Sequence, residues 1–401
     1  YPNAWVYGAA SGIRYNLLFS ALGVISYLAM KNKPRVRFGV VGCCVLLFFA
    51  WTTFTTMMTI GVPATTWEYW NRFAKVVLLF VFVILIVEKK LHVDFLLWCL
   101  VLSVGFYANL EGIKYIATGG GHMIAGFHGH ALGDRNELSI AFVMTLPICF
   151  YLLGEYGRTS RALKYALFGT IALLVISVIG TQSRGGFIAL TALGAYLFMK
   201  SDRKIVLALG ILTLVLIVMQ LAPPEWSERI NTIEEADQDA SFMGRVVAWK
   251  LSFIMAMQHP ITGGGFKTLE YFPVWQELSR SFFSYSWFYT ADALPNPNAA
   301  HAAHSIYFQV LGDHGFVGLF LFLIILGGAF LTARNVSKQA KELDIGWLRN
   351  LGLALQLSIF SFGLGGAALS FAYFDMIYAL IGIVLVLNLR ILPALRAELK
   401  R

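Results

Sequence analysis

Three short stretches hold residue types from which a reaction centre could be built. In Thr181-Gln182-Ser183-Arg184-Gly185-Gly186 one arginine stands where an apolar run ends and another begins, and two glycines follow it. Glycine lets a ligand or another backbone approach closely, and the start of the following helix offers free N–H groups to an anion. A guanidinium snorkelling to lipid headgroups is the competing account of Arg184. Met243-Gly244-Arg245 repeats the arrangement ahead of an amphipathic run, with a lipid-facing surface arginine as its plainer reading. Two such arginines could grip a diphosphate with a bidentate geometry that lysine does not match. The third stretch, HAAHSIYFQVLGDHG (301–315), places His304 and Ser305 where a long polar loop meets an apolar run. A histidine titrating near 6.5 can take a proton from a hydroxyl, and the competing account is an interfacial ring bonded to loop backbone.

Weaker candidates surround these. His301 and His304 are spaced i, i+3 with His314 further on, but no cysteine or acidic residue nearby completes a metal set. His122, His128 and His130 sit in a glycine-rich loop with the same shortfall. The expectation is therefore no metal and no cofactor. In Asp134-Arg135-Asn136-Glu137, Asp134 suits a helix N-cap and Glu137 the first turn, and Asp134 and Arg135 are second-rank site candidates with His301.

The elements that must position these residues follow from composition. Of the 401 residues 58% are hydrophobic and 13% charged, about half the charged fraction of an ordinary soluble domain. The fold class is an all-α polytopic membrane protein. Runs long enough, or nearly so, to cross as helices lie near 13–30, 38–60, 70–87, 91–109, 136–153, 165–181, 186–199, 205–222, 303–332, 347–364 and 370–388. These eleven candidates set the expectation at about 11–12 transmembrane helices. Three regions result: N-terminal helices (1–222), a large loop (223–302) and C-terminal helices (303–401). The chain opens Tyr1-Pro2-Asn3 with no Met, and further residues are expected upstream.

Alternate connections differ in charge. The loops carrying Lys31, Lys33, Arg35 and Arg37, then Lys89 and Lys90, then Arg158, Arg161 and Lys164, then Lys200, Arg203 and Lys204, share one side with Arg334 to Arg349 and the basic C-terminus. By the positive-inside rule that side is cytoplasmic. The net charge of +9 then needs no nucleic-acid partner. Arg184, Arg245 and His304 all fall on the opposite, external side, as does a helix expected near 245–256 that suits the interface plane. Cys43, Cys44, Cys99 and Cys149 lie in apolar runs and read as small buried residues, with no disulfide implied. A transporter of an anionic substrate is the rival class, but transporters place key polar groups near the midplane in related halves.

TQSRGG, then GR…W in a large external loop, then H-S-x-Y ahead of LGDHGFVGL, resembles the O-antigen ligase / O-antigen polymerase-like superfamily. The start YPNAWVYGAA and the segment GDRNELSIAF resemble its bacterial O-glycosylation ligase-like subgroup. The family often has Asn after the site histidine, where this chain has Ser305. The resemblance implies a GT-C-like glycosyltransferase in the bacterial inner membrane with a periplasmic site. Its donor is a glycan on undecaprenyl diphosphate. Its acceptor is a hydroxyl of the lipid A core, with a growing glycan (polymerase) or a protein (O-oligosaccharyltransferase) as alternatives. Neither metal nor nucleotide sugar takes part. The mechanism expected is an inverting single displacement in which Arg184 and Arg245 hold the diphosphate and His304 serves the acceptor. Membrane lipids surround an opening for the polyprenyl chain.

Overall fold

A computed structural model describes residues 15–31, 33, 36–127, 132–200, 204–205 and 240–400. The expected span at 205–222, the loop to 239 with its acidic patch, and His128, His130 and Arg203 lie largely or wholly outside the described residues. No strand occurs among the described residues. In chain order the helices are α1 (Tyr15–Ala29), α2 (Gly39–Met57), α3 (Pro63–Ile86), α4 (Lys90–Ala117), α5 (Arg135–Tyr156), α6 (Arg161–Gly180), α7 (Arg184–Lys200), α8 (Ala240–Gln258), α9 (Phe272–Arg280), α10 (Ile306–Glu342), α11 (Gly346–Gly365), α12 (Asp375–Val386) and α13 (Leu392–Glu398). Among the described residues, eight segments are long and apolar enough to cross a membrane: α2 to α6, α10, α11 extended to Ala368, and the run Asp375–Glu398. α7 is apolar but shorter, as its sequence suggests. The chain is a polytopic all-α membrane protein.

α5 is the axis of the bundle. It is apolar on every side rather than striped, the pattern of a helix surrounded by others, and packs on α4, α6, α7 and α11. Small residues let these helices approach closely. The Ser358 hydroxyl donates to the Met144 carbonyl at 2.7 Å, tying α11 to α5, and that of Ser177 donates to Ala108 at 2.8 Å, tying α6 to α4. A Cβ at Gly186 would lie 2.6 Å from that of Ser139, so the start of α7 meets the start of α5 only because position 186 has no side chain. At the other end of α5 the buried Asp94 carboxylate accepts from Lys90 (2.6 Å), Tyr151 (2.7 Å) and Tyr156 (2.8 Å). The starts of α5, α7 and α10 and the end of α11 share one face, and the basic connections lie at the opposite ends of the same helices.

The large loop has a core of its own. α8 buries Val247, Leu251, Ile254 and Met255 against Trp275, Leu278 and Phe282. Its aromatic side, which the sequence offers to the membrane interface, turns inward instead. Trp249 stacks on Phe308 of α10 with ring centroids 5.4 Å apart, and Phe253 meets Tyr285 and Trp287 edge-on. The cysteines also correct the sequence reading. Only Cys149 is buried, while Cys43 and Cys99 point out of the bundle and all four are free thiols. A small apolar thiol suits lipid as well as a protein interior.

α10 is broken at Gly315, about two and a half turns inside its start at Ile306. Gly315 has φ 68° and ψ −170°, a region open essentially to glycine. Freed backbone groups at such a break need partners, and the tripeptide Gly263-Gly264-Gly265 supplies them. The Gly264 and Gly265 amides donate to the carbonyls of Gly312 (2.9 Å) and Asp313 (2.8 Å), and Phe316 donates to Pro260 at 2.9 Å. The Trp51 indole closes the set on the His314 carbonyl at 3.1 Å. A Cβ at Gly315 would also lie 2.7 Å from the Pro260 carbonyl oxygen. Gly315→Ala is therefore expected to destabilise the fold by about 1–3 kcal/mol, read as a lower unfolding temperature in detergent. An unchanged temperature would mean that the loop tripeptide does not hold the break.

Candidate active site

The site grows from one short turn, Gly365 to Ser370, between α11 and the segment leading to α12. Three separate parts of the chain converge on it. The start of α7 is the first: Ser183 caps the helix, its hydroxyl accepting from the Gly186 amide at 3.2 Å. Gln182 before it takes the left-handed conformation, φ 54°, that turns α6 into α7. A Cβ at Gly185 would lie 3.6 Å from the Ala368 Cβ. Gly186 thus serves the contact with α5, Gly185 faces the Gly365–Ala368 turn, and Arg184 leads the first turn at the site face.

Arg245 is the second part. Its guanidinium donates to the Ala368 carbonyl at 3.3 Å. The sequence expectation that it begins its helix is corrected, because α8 already runs from Ala240. Gly244 does not interrupt it, since a lone glycine costs a helix only about 1 kcal/mol. Arg245 therefore brings its own charge and not a helix N-terminus.

His304 is the third. Its amide donates to the Ser370 hydroxyl at 2.8 Å while the residue sits at φ 46°. A left-handed non-glycine residue is uncommon and invites a functional account. The turn aims a half-buried ring whose nitrogens make no hydrogen bond to any described residue. Burial, then the charge of Arg245, hold its proton affinity below the ordinary 6.5, with His301 acting the same way and Asp134 and Glu270 opposing. The ring is neutral at neutral pH, the form that accepts a proton. Ser305 is buried and precedes the first turn of α10 without a side-chain cap, so its hydroxyl is set back from the site.

The second-rank residues separate. Asp134 is the N-cap of α5, its carboxylate accepting from the Asn136 amide at 2.7 Å, and it stands within the field of His304. Arg135 turns toward the Met123 sulfur at 3.3 Å. His301 lies on the rim, edge-on to Trp275 and 3.2 Å from the Asn296 amide nitrogen. His314 leaves the group altogether. It is fully buried inside the bundle with Nδ1 2.7 Å from the Thr55 hydroxyl, so it cannot share a ligand with His301 and His304. Among the described residues no group of three histidines, cysteines or carboxylates could hold a metal ion.

Sequence reasoning missed the turn itself and the wall behind it. Besides the His304 bond, Gln309 accepts from the Ala372 amide at 3.1 Å and the Tyr373 hydroxyl donates to Asp313 at 2.9 Å, buckling this connection to α10. A narrow cleft follows, lined by Lys267, Glu270, Gln309, Asp313 and Ser370. Lys267 pairs with Glu270 at 2.6 Å, and though burial opposes it that carboxylate keeps the lysine charged. The run of small residues GLGGAALS between two spans was the one available signal for the turn.

The start of α7, Arg245 and the His304 ring thus gather on one turn at one face of a membrane bundle, which defines the class as an integral-membrane protein with a polar site at one end of its helices. Residues 169–323, which include Arg184, Arg245 and His304, match the O-antigen ligase family. Residues 1–157 match a family of unknown function (DUF5935). The match over 169–323 supports the O-antigen ligase-like superfamily, a family whose name implies glycosyltransferase-like ligation. No curated protein matches the chain.

Proposed function

We propose that the protein transfers a glycan from undecaprenyl diphosphate to an acceptor hydroxyl, on the periplasmic face of a bacterial inner membrane, with a lipid A-core sugar as acceptor. The observation that carries this reading is the convergence of the Arg184 helix start, Arg245 and His304 on one turn, at Ala368 and Ser370. The acceptor oxygen attacks the anomeric carbon while His304 takes its proton. The bond from that carbon to the diphosphate oxygen breaks, and its electron pair leaves with the diphosphate. Arg184 and Arg245 stabilise the charge that develops there, in a partly desolvated site where fixed charges act strongly. Attack opposite the leaving group inverts the anomeric centre. The gathering of these groups at one end of the bundle, away from the midplane, favours transfer over transport.

The test is transfer by the purified protein from a synthetic lipid-linked glycan to lipid A-core oligosaccharide, a second lipid-linked glycan or a protein acceptor. Glycosylated core is the expected product. Product on another acceptor would move the reading to polymerase or protein transferase, and none on any acceptor would end it. Sidedness is read separately, in a cysteine-free background. An impermeant thiol reagent should label a cysteine at 283, where Phe283 is 74% exposed, in preference to one at 338. The reverse order would place the site in the cytoplasm.

A further inference from the structure

The large loop carries an aromatic strap that the site does not use. Residues 281–291 read SFFSYSWFYTA, without one charged side chain. The strap is held from behind by α8. Lys250 is only 3% exposed, and its ammonium donates to the Phe288 carbonyl at 3.1 Å and lies 4.2 Å from the Phe282 ring centroid. Phe253, about one turn further along, meets Tyr285 and Trp287 edge-on with centroids 5.5 and 5.3 Å away. Yet the residues on either side of Phe288 turn outward, Trp287 at 69% and Tyr289 at 74% exposure. Two large rings are thus displayed from a fixed support.

Their depth follows from Phe288, whose ring stands edge-on to Phe308 of α10 with centroids 6.2 Å apart. Phe308 lies in the part of α10 before the break at Gly315, and both ends of that part are tied to the ends of spans. The Tyr307 hydroxyl donates to the Gly363 carbonyl at 2.8 Å, near the end of α11. His314 Nδ1 lies 2.7 Å from the Thr55 hydroxyl, near the end of α2. Beyond the break, residues 315–333 carry no charge before Arg334. That is about 29 Å of helix, the thickness of a hydrocarbon core of about 30 Å. Phe308 therefore stands at the edge of the core, and the strap beside it at the level of the headgroup layer, about 5–8 Å thick.

We propose that Trp287 and Tyr289 seat in the phospholipid headgroup layer at this face of the membrane, making the strap an interfacial anchor for the large loop. Each ring is an apolar body with one N–H or O–H at its rim, the combination enriched where lipid meets water. Depth favours lipid over a glycan stacked on the same rings, which would need them clear of the headgroups. The interfacial role that the sequence offers to α8 thus passes to the strap packed on it. Because Lys250 and Phe253 join the strap to α8, the anchor also sets the height of Arg245 on that helix. This holds whatever the site binds.

The experiment uses the full chain in nanodiscs of phosphatidylethanolamine and phosphatidylglycerol. Tyr289→Cys, in a cysteine-free background, carries a small fluorophore. Lipid spin-labelled at the headgroup should quench it more than aqueous iodide does, and more than lipid labelled at the acyl terminus. Trp287 reports without a label, through the difference in emission between wild type and Trp287→Phe, which keeps a ring against Phe253. That difference should be lost in brominated lipid and unmoved by a neutral hexose oligosaccharide. Stronger quenching by iodide than by lipid at both positions overturns the anchor. So does a response of either reporter to the oligosaccharide, which would make the strap a glycan surface.

Discussion

Arg184→Lys and Arg245→Lys should each lower the transfer rate by about 30- to 1000-fold while the protein still inserts and folds. The range converts a lost charge-assisted contact in the transition state, roughly 2–4 kcal/mol, into rate. Lysine keeps the charge but replaces the planar fork with a single ammonium, so the loss isolates geometry from net charge. The two positions should differ in detail. Arg184 leads its helix, and lysine there retains the exposed amides of α7 as anion donors. Arg245 lies inside α8 and is held by its bond to the Ala368 carbonyl at 3.3 Å, so lysine there loses both the fork and its anchor. The larger loss is expected at 245, with weaker binding of undecaprenyl diphosphate in both variants. Arg334→Lys, at the opposite end of the bundle, is the comparison for general effects of the exchange. Full activity in either site variant would remove that arginine from the diphosphate role.

Much of the scaffold was legible because a membrane helix declares itself by length and apolarity alone. The runs near 38–60, 70–87, 91–109, 136–153 and 165–181 correspond to α2 to α6, although α3 begins seven residues earlier and α4 ends eight residues later than the apolar run. Arg184 and His304 were legible for a related reason: each polar residue sits where an apolar run begins, and few such places exist. What was hidden depends on long-range contacts between residues without chemistry of their own. Ala368 contributes only a carbonyl to Arg245, 123 positions away, and Ser370 only a hydroxyl to His304, 66 positions away. Nothing in their types announces this. Gly244 misled because a glycine flanked by good helix formers is tolerated. His314 misled because the break at Gly315 turns a residue beside the loop into the bundle, where Thr55 receives it.

Replacing His304 should cost about 100- to 10,000-fold in transfer, the scale of a lost general base, while leaving diphosphate binding nearly intact. His304→Asn is the sharper variant beside His304→Ala, because asparagine also tolerates the left-handed backbone at φ 46° and cannot take up the proton. The pH profile separates chemistry from positioning. Only the neutral ring is competent, and burial and then Arg245 keep its proton affinity below 6.5 against the pull of Asp134 and Glu270. Transfer should therefore fall as pH drops, with a midpoint below 6.5, and be level from neutrality upward. Glu270→Gln removes a charge that favours the protonated ring, so its midpoint should move to still lower pH. Arg245→Lys retains the charge and should keep the midpoint while losing rate. In His304→Asn the acid limb should vanish from the residual activity. A limb that survives there, or that stands above 6.5 in the wild type, would assign proton transfer to another group. Loss of undecaprenyl diphosphate affinity in His304→Asn, with affinity retained in the arginine variants, would invert the roles of the two sides of the site.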